Sequence, residues 1–154
     1  MSRGSGGQQA APSSREVPEL REYLAQRRVS LARQGAELVG NWRQRFGKGV
    51  LPFSLVRLGG ESNTLLRWRC TGAGCNPRGG RFELEQARDV IARLPAAVRA
   101  RILDIEKARI ELNYQYALAI YGLFRLDDLE RRRTALAHLR RSEIAANSYD
   151  SRRV

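Results

Sequence analysis

One stretch of this chain reads as strand in a sequence that is otherwise helical, and the rest must fold around it. It is Leu55 to Arg69, LVRLGGESNTLLRWR. Two β-prone runs flank Gly59-Gly60-Glu61-Ser62-Asn63, which supplies what a reversal needs: glycine for positive φ, Ser and Asn for local hydrogen bonds. The spacing predicts a β-hairpin. Side chains alternate along a strand, so in the second run Leu66, Trp68 and Cys70 share one face while Leu65, Arg67 and Arg69 share the other. One face suits a core and the other suits an anion. The helices must therefore cover one side of a two-faced ribbon.

Before the hairpin, residues 1–16 (MSRGSGGQQAAPSSRE) offer almost nothing to bury and are expected to form a disordered tail. Pro18 stands where a first helical turn tolerates proline. From Glu19 to about Phe46, Leu20, Leu24, Leu31, Leu38 and Trp42 recur at three- and four-residue multiples, with Gly35, Val39 and Phe46 in the same stripe. Arg21, Arg27, Arg33, Arg43 and Arg45 make the opposite side cationic. Gly47-Lys48-Gly49 and Pro52 end this amphipathic helix. Beyond the hairpin, Cys70 to Gly80 reads as a connector; its Gly-x-Gly is too short and misplaced for a dinucleotide loop and lacks the Gly-Lys-Ser/Thr of a P-loop. Arg81 to Leu84 alternate and could add a third short strand, with Phe82 and Leu84 joining Trp68 inside.

The second half is helical. A short helix is expected from Gln86 to about Leu94, buried through Ala87, Val90 and Ile91, with Pro95 as the break. Ala96 to about Leu123 carries two apolar stripes: Val98, Ile102, Ile105 and Leu112, then Leu103, Ile110, Ala117 and Tyr121. A helix apolar on two sides is expected to be packed on both and to be central. Asp127, Asp128 and Glu130 look like charge favoured at a helix N-terminus, so a separate last helix is predicted to about Ala146. It would turn Leu126, Leu129, Leu136, Leu139 and Ile144 inward, with Arg131, Arg132, Arg133, Arg140 and Arg141 as a basic patch. Residues 147–154 are expected to fray. The 154 residues hold one core of useful size. The expected fold is a single α+β domain, mainly α, spanning 17–146. Its antiparallel hairpin or three-stranded sheet, at about 54–85, packs on a long central helix with amphipathic helices beside it.

Catalysis is hard to assemble from this inventory. The acids are scattered rather than convergent on a cation, and the one histidine, His138, is far from any nucleophile. His138-Leu139-Arg140-Arg141 with Tyr149 has the shape of a tyrosine-recombinase His-x-x-Arg, but the tyrosine follows far too closely. Cys70 and Cys75 form a lone C-x4-C pair, short of the four ligands of a zinc site. No catalytic, cofactor or metal residue is expected, and the thiols are expected to be reduced in a cytoplasmic protein. Residues 1–15 lack the apolar core of a signal peptide, and no apolar run approaches the roughly 20 residues of a membrane span.

Charge points elsewhere. The formal net charge is +12 with 28 Lys and Arg, and the pI is about 11.0, which favours a polyanionic partner, nucleic acid before an anionic membrane surface. A high-GC arginine bias accounts for part of it, since only Lys48 and Lys107 are lysines. The expected DNA contacts are Arg67 and Arg69, joined by Arg57 if it shares their face, and extended by Arg78 and Arg81. By alternation Trp68 belongs to the core rather than to a base stack. The competing expectation is a helical adaptor that docks on a DNA-processing partner.

Leu65-Leu66-Arg67-Trp68-Arg69 and the later Glu106-x-x-Arg109-Ile110-x-Leu112-Asn113-x-Gln115 also carry a likeness to a known family. Over roughly Leu51 to Leu139 the chain resembles small proteins encoded in proteobacterial integrating conjugative elements. The resemblance implies a gene neighbourhood of DNA-processing functions, among them a single-stranded DNA-binding protein and a type I topoisomerase. It brings no catalytic residues, and the two-cysteine loop departs from the family's pattern.

Overall fold

The computed structural model describes residues 10–47, 49–59, 63–72 and 81–150. Helix α1 spans Glu16–Phe46. The Ser13 carbonyl accepts the N–H groups of Glu16 and Val17 at 3.1 and 3.2 Å. The Glu16 carboxylate accepts the Ser13 N–H at 2.6 Å, which holds that carboxyl below its ordinary pKa. Glu16 and Glu19 in the first turn suit the positive end of the helix dipole. At the other end Gly47 takes φ +60° as its N–H donates to the Arg43 carbonyl at 2.9 Å, a conformation that favours glycine.

Strands β1, Phe53–Arg57, and β2, Leu66–Cys70, then form a two-stranded antiparallel sheet. Phe53 pairs with Cys70, Leu55 with Trp68 and Arg57 with Leu66; Ser54–Arg69 and Val56–Arg67 pair on the other face. A two-stranded ribbon is marginal alone, and here it is stabilised from beneath. Phe53, Leu55, Leu66 and Trp68 are buried against α1 and the long helix that follows. The rings of Trp42 and Trp68 meet edge-on at 4.9 Å, and Phe53 meets Trp68 the same way at 5.6 Å, within the range where aromatic pairs add to their burial.

A single 3-10 turn at Leu84–Ala87 leads into α2, Arg88–Ala92, and then α3 runs unbroken from Ala96 to Asp150, 55 residues. The domain is mainly α with an antiparallel hairpin packed on long helices, as the sequence implies. α1 and α3 approach closely at Gly122, where a Cβ would lie 2.8 Å from Leu24 Cδ1.

Five expectations are corrected. The third strand does not form: Arg81 to Glu83 are irregular and Leu84 opens the 3-10 turn, although Phe82 and Leu84 are buried as expected. No break separates the last two helices, because no proline interrupts the chain there and Gly122 is taken up inside the helix where it meets Leu24 of α1; the acids at 127–130 lie mid-helix and are held by arginines instead. The second stripe of α3 is not packed, so Leu103, Ile110 and Tyr121 are exposed, as are Leu136, Leu139 and Ile144 further along. Leu65 is buried because it precedes the strand and tucks against α1 at Gly35, where a Cβ would fall 2.7 Å from Leu65 Cδ2. At the ends, the Pro12 carbonyl accepts from Arg133 Nη2 at 2.6 Å, and α3 continues past Ala146. The rest of the expected tail, residues 1–9, and residues 151–154 lie outside the described residues.

Candidate nucleic-acid interface

The hairpin is held in place from its core side by three side chains of α3. Asn113 accepts the Leu66 N–H through Oδ1 at 2.9 Å and donates from Nδ2 to the Leu66 carbonyl at 2.8 Å. It thereby acts as one more backbone partner for β2. About two turns back, Glu106 accepts the Trp68 indole N–H at 2.6 Å through Oε2. Arg109 donates to both oxygens of the same carboxylate, from Nε at 2.7 Å and Nη2 at 2.8 Å, with Glu83 Oε2 3.7 Å from that same Nη2. Arg109 is only 7% exposed. Its hydrogen bonds to Glu106 push its pKa up further, against the opposing effect of burial. A buried guanidinium needs this counter-charge, and the pair in turn fixes the indole. Trp68 is thus a core residue with its polar atom spent, and base stacking is closed to it.

With the apolar face committed, β2 turns Arg67 and Arg69 to solvent, opposite Val56 and Ser54. Among the described residues neither is paired with a carboxylate. Arg69 also borders an open cleft of about 660 Å³ between the end of α1 and the ribbon. Arg43 stands on the same cleft, and Ser54, Pro52 and Gly72 complete its polar and loop edge. Its aromatic floor, Trp42, Phe46 and Phe53, is buried. The arrangement offers cationic donors to an oxyanion and no aromatic platform to a base. Such contacts position a nucleic-acid backbone without reading sequence.

The other expected contacts fare differently. Arg57 is exposed, but the register sets it opposite Leu66 on the same pleat face as Leu55 and Trp68. The condition for its joining Arg67 and Arg69 therefore fails. Arg81 donates from Nε to Glu83 at 2.8 Å, so it is paired with a neighbouring carboxylate. Arg78 lies outside the described residues.

In the basic patch on α3, Arg131 and Arg132 are exposed but paired within the helix, and Arg133 is half-buried. Asp128 accepts from Arg131 at 2.5 Å and from Arg132 at 2.8 Å, and Arg133 reaches Pro12. Arg140 and Arg141 remain exposed, Arg141 with Nη2 3.3 Å from His138 Nδ1. Arg43 is the contact the sequence placed only generally, on the cationic back of α1. Its position three residues from the helix end, just before the Gly-rich exit toward the ribbon, is the signal that brings it to the hairpin.

Cys70 is disulfide-bonded, contrary to the expected reduced thiol; the chain's other cysteine, Cys75, lies outside the described residues. Among the described residues no group of three or more His, Cys, Asp or Glu side chains is placed to hold a metal ion, and no helix is long and apolar enough to cross a membrane. No protein-family model matches the chain, and neither a curated protein nor a solved structure matches it.

Proposed function

We propose that this protein is a non-enzymatic accessory of a mobile genetic element that contacts DNA through the outer face of its hairpin. The observation that carries the reading is the pair Arg67 and Arg69, two guanidinium groups left unanswered on one pleat face of a chain with net charge +12. Arg43 across the cleft extends the same electrostatic surface. The association with a mobile element rests on the resemblance of the Leu-Arg-Trp-Arg strand and the α3 motif, and the expected partners are DNA and the element's DNA-processing proteins.

Binding of this kind is driven by counterion release, so affinity falls linearly on a log–log plot against salt. Titrations with single- and double-stranded DNA at several salt concentrations test it. Changing Arg67 and Arg69 together to Ala should lower the slope by about two phosphate contacts, close to 1.8 for duplex. The control is Arg28→Ala with Arg33→Ala on the exposed side of α1. An equal loss from the control would mean diffuse attraction, and absence of binding at low salt would refute the reading.

A further inference from the structure

Helix α3 buries Ile102, Ile105, Ala119 and Leu126 along one face. On another it exposes Leu103, Ile110, Tyr114, Leu118, Tyr121 and Phe124, each more than half accessible. These six recur at three-, four- and seven-residue steps and make one stripe over six turns, crossed by the exposed Lys107 between Leu103 and Ile110. Nothing among the described residues covers it. At about 150–250 Å² for each full side chain, the exposed portions sum to roughly 700 Å². A monomer's largest apolar patch is typically about 300–600 Å², whereas a stable association buries about 800 Å² per partner.

The row beside it says what covers the stripe. Asp104, Glu111, Leu118, Arg125 and Arg132 follow one another at intervals of seven, and all are exposed. Residues seven apart return to the same side of a helix. Two acids therefore precede Leu118 at one and two intervals, and two bases follow it at the same intervals. Rotating the helix about a two-fold axis through Leu118 exchanges these halves. Glu111 then faces Arg125 of a second copy, Asp104 faces its Arg132, and the two Leu118 side chains meet on the axis; Tyr114, Tyr121 and Phe124 overlap the second copy's stripe, while Leu103 and Ile110 lie along its charged row. Parallel pairing would instead set like charge against like. The row sums to zero charge, so the chain's overall +12 is not concentrated where the copies would touch. Asp128 answers Arg132 at 2.8 Å but stands 3.9 Å from Arg125, which leaves Arg125 the freer member. Asp104 and Glu111 disfavour DNA or an anionic membrane along the first half of this row.

We infer that this face of α3 binds a second copy of the chain in antiparallel orientation, forming an isologous dimer centred on Leu118. The association needs no DNA, so it stands or falls independently of the hairpin's role.

Sedimentation equilibrium of the full chain, run with and without reductant, should give twice the 17.4 kDa chain mass at micromolar concentration, whatever the state of the cysteines. Leu118→Glu and, separately, Tyr121→Glu should give the monomer with unchanged helical circular dichroism, since both side chains are exposed in the single chain. Glu111→Arg should weaken association about tenfold by turning two attractions into repulsions. The double swap Glu111→Arg with Arg125→Glu should restore it, because the reversed row is again self-complementary. A chain that stays monomeric up to about 100 µM, or a dimer lost on reduction or indifferent to Leu118→Glu, would overturn the inference. So would a monomer that binds anionic vesicles and loses them with Leu118→Glu, and so would a double swap that fails to restore the dimer, which removes the antiparallel arrangement.

Discussion

At the scale of single residues, the fold turns on a few side chains that stand in for backbone. Asn113 satisfies both polar groups of Leu66, a residue with no exposure. Replacing it with Ala leaves a buried N–H and C=O without a partner, which costs about 1–3 kcal/mol; a urea midpoint shift at unchanged slope measures it. Glu106→Gln keeps a hydrogen-bond acceptor for Trp68 but strips the counter-charge from buried Arg109. The expected loss is about 3 kcal/mol, the low end of the range for broken buried pairs because Glu83 stands 3.7 Å away. Two glycines of α1 make a sharper comparison. Gly40 has open space where a Cβ would go, so Gly40→Ala should stabilise by up to about 1 kcal/mol through helix propensity. At Gly35 the same methyl would press on Leu65 Cδ2 and Cγ at 2.7 and 3.1 Å, and Leu65 is 2% exposed. Overpacking of about 1–3 kcal/mol should then exceed the propensity gain, so Gly35→Ala should melt lower and Gly40→Ala higher. The alternation of Trp68 with Arg67 and Arg69 was legible in the sequence because strand periodicity is local. The docking of Asn113 and Glu106 on β2 was not, since their partners lie 47 and 38 positions away and polar residues on a helix carry no mark of what they meet.

At the scale of elements, α3 is where sequence and structure diverge most. A cluster of acids after a long apolar run looks like a new N-terminus, yet a helix ends only where something stops it, and between Pro95 and Asp150 nothing does. The acids are instead tertiary and intrahelical anchors. Arg21 of α1 bridges Asp127 and Glu130, while hydrogen bonds from Arg132 and then Arg131 hold the Asp128 carboxyl below its ordinary pKa. A depressed carboxyl adds stability that is present above the unfolded value, near 3.9, and is lost as pH falls through the lower folded value. Asp128→Asn should therefore melt lower than the parent at neutral pH. The difference should shrink as the pH drops below about 4, which thermal melts across that range would record. The second apolar stripe of α3 was read correctly as apolar and wrongly as core. Periodicity reports that a face avoids water and says nothing about which chain covers it.

At the scale of the whole molecule, the outward arginines of the ribbon and the apolar stripe of α3 lie on different elements, and this gives the two proposed associations different salt dependences. Arginines that face solvent on the ribbon attract a polyanion through long-range fields, and screening at about 0.15 M already shortens those fields to roughly 8 Å. The α3 stripe associates by burying apolar area, which salt leaves intact or strengthens. Its two rim pairs weaken with salt, but so does the mutual repulsion of two chains each carrying +12. Raising salt from about 0.05 to 0.5 M should therefore release DNA by orders of magnitude while dimer dissociation changes by no more than a few-fold. Fluorescence anisotropy with labelled DNA and sedimentation of protein alone, in matched buffers, separate the two. Parallel loss of both with salt would mean that the copies are held by charge rather than by the exposed leucines and tyrosines of α3. The compositional signal of +12 would then be driving both associations, and the apolar stripe neither.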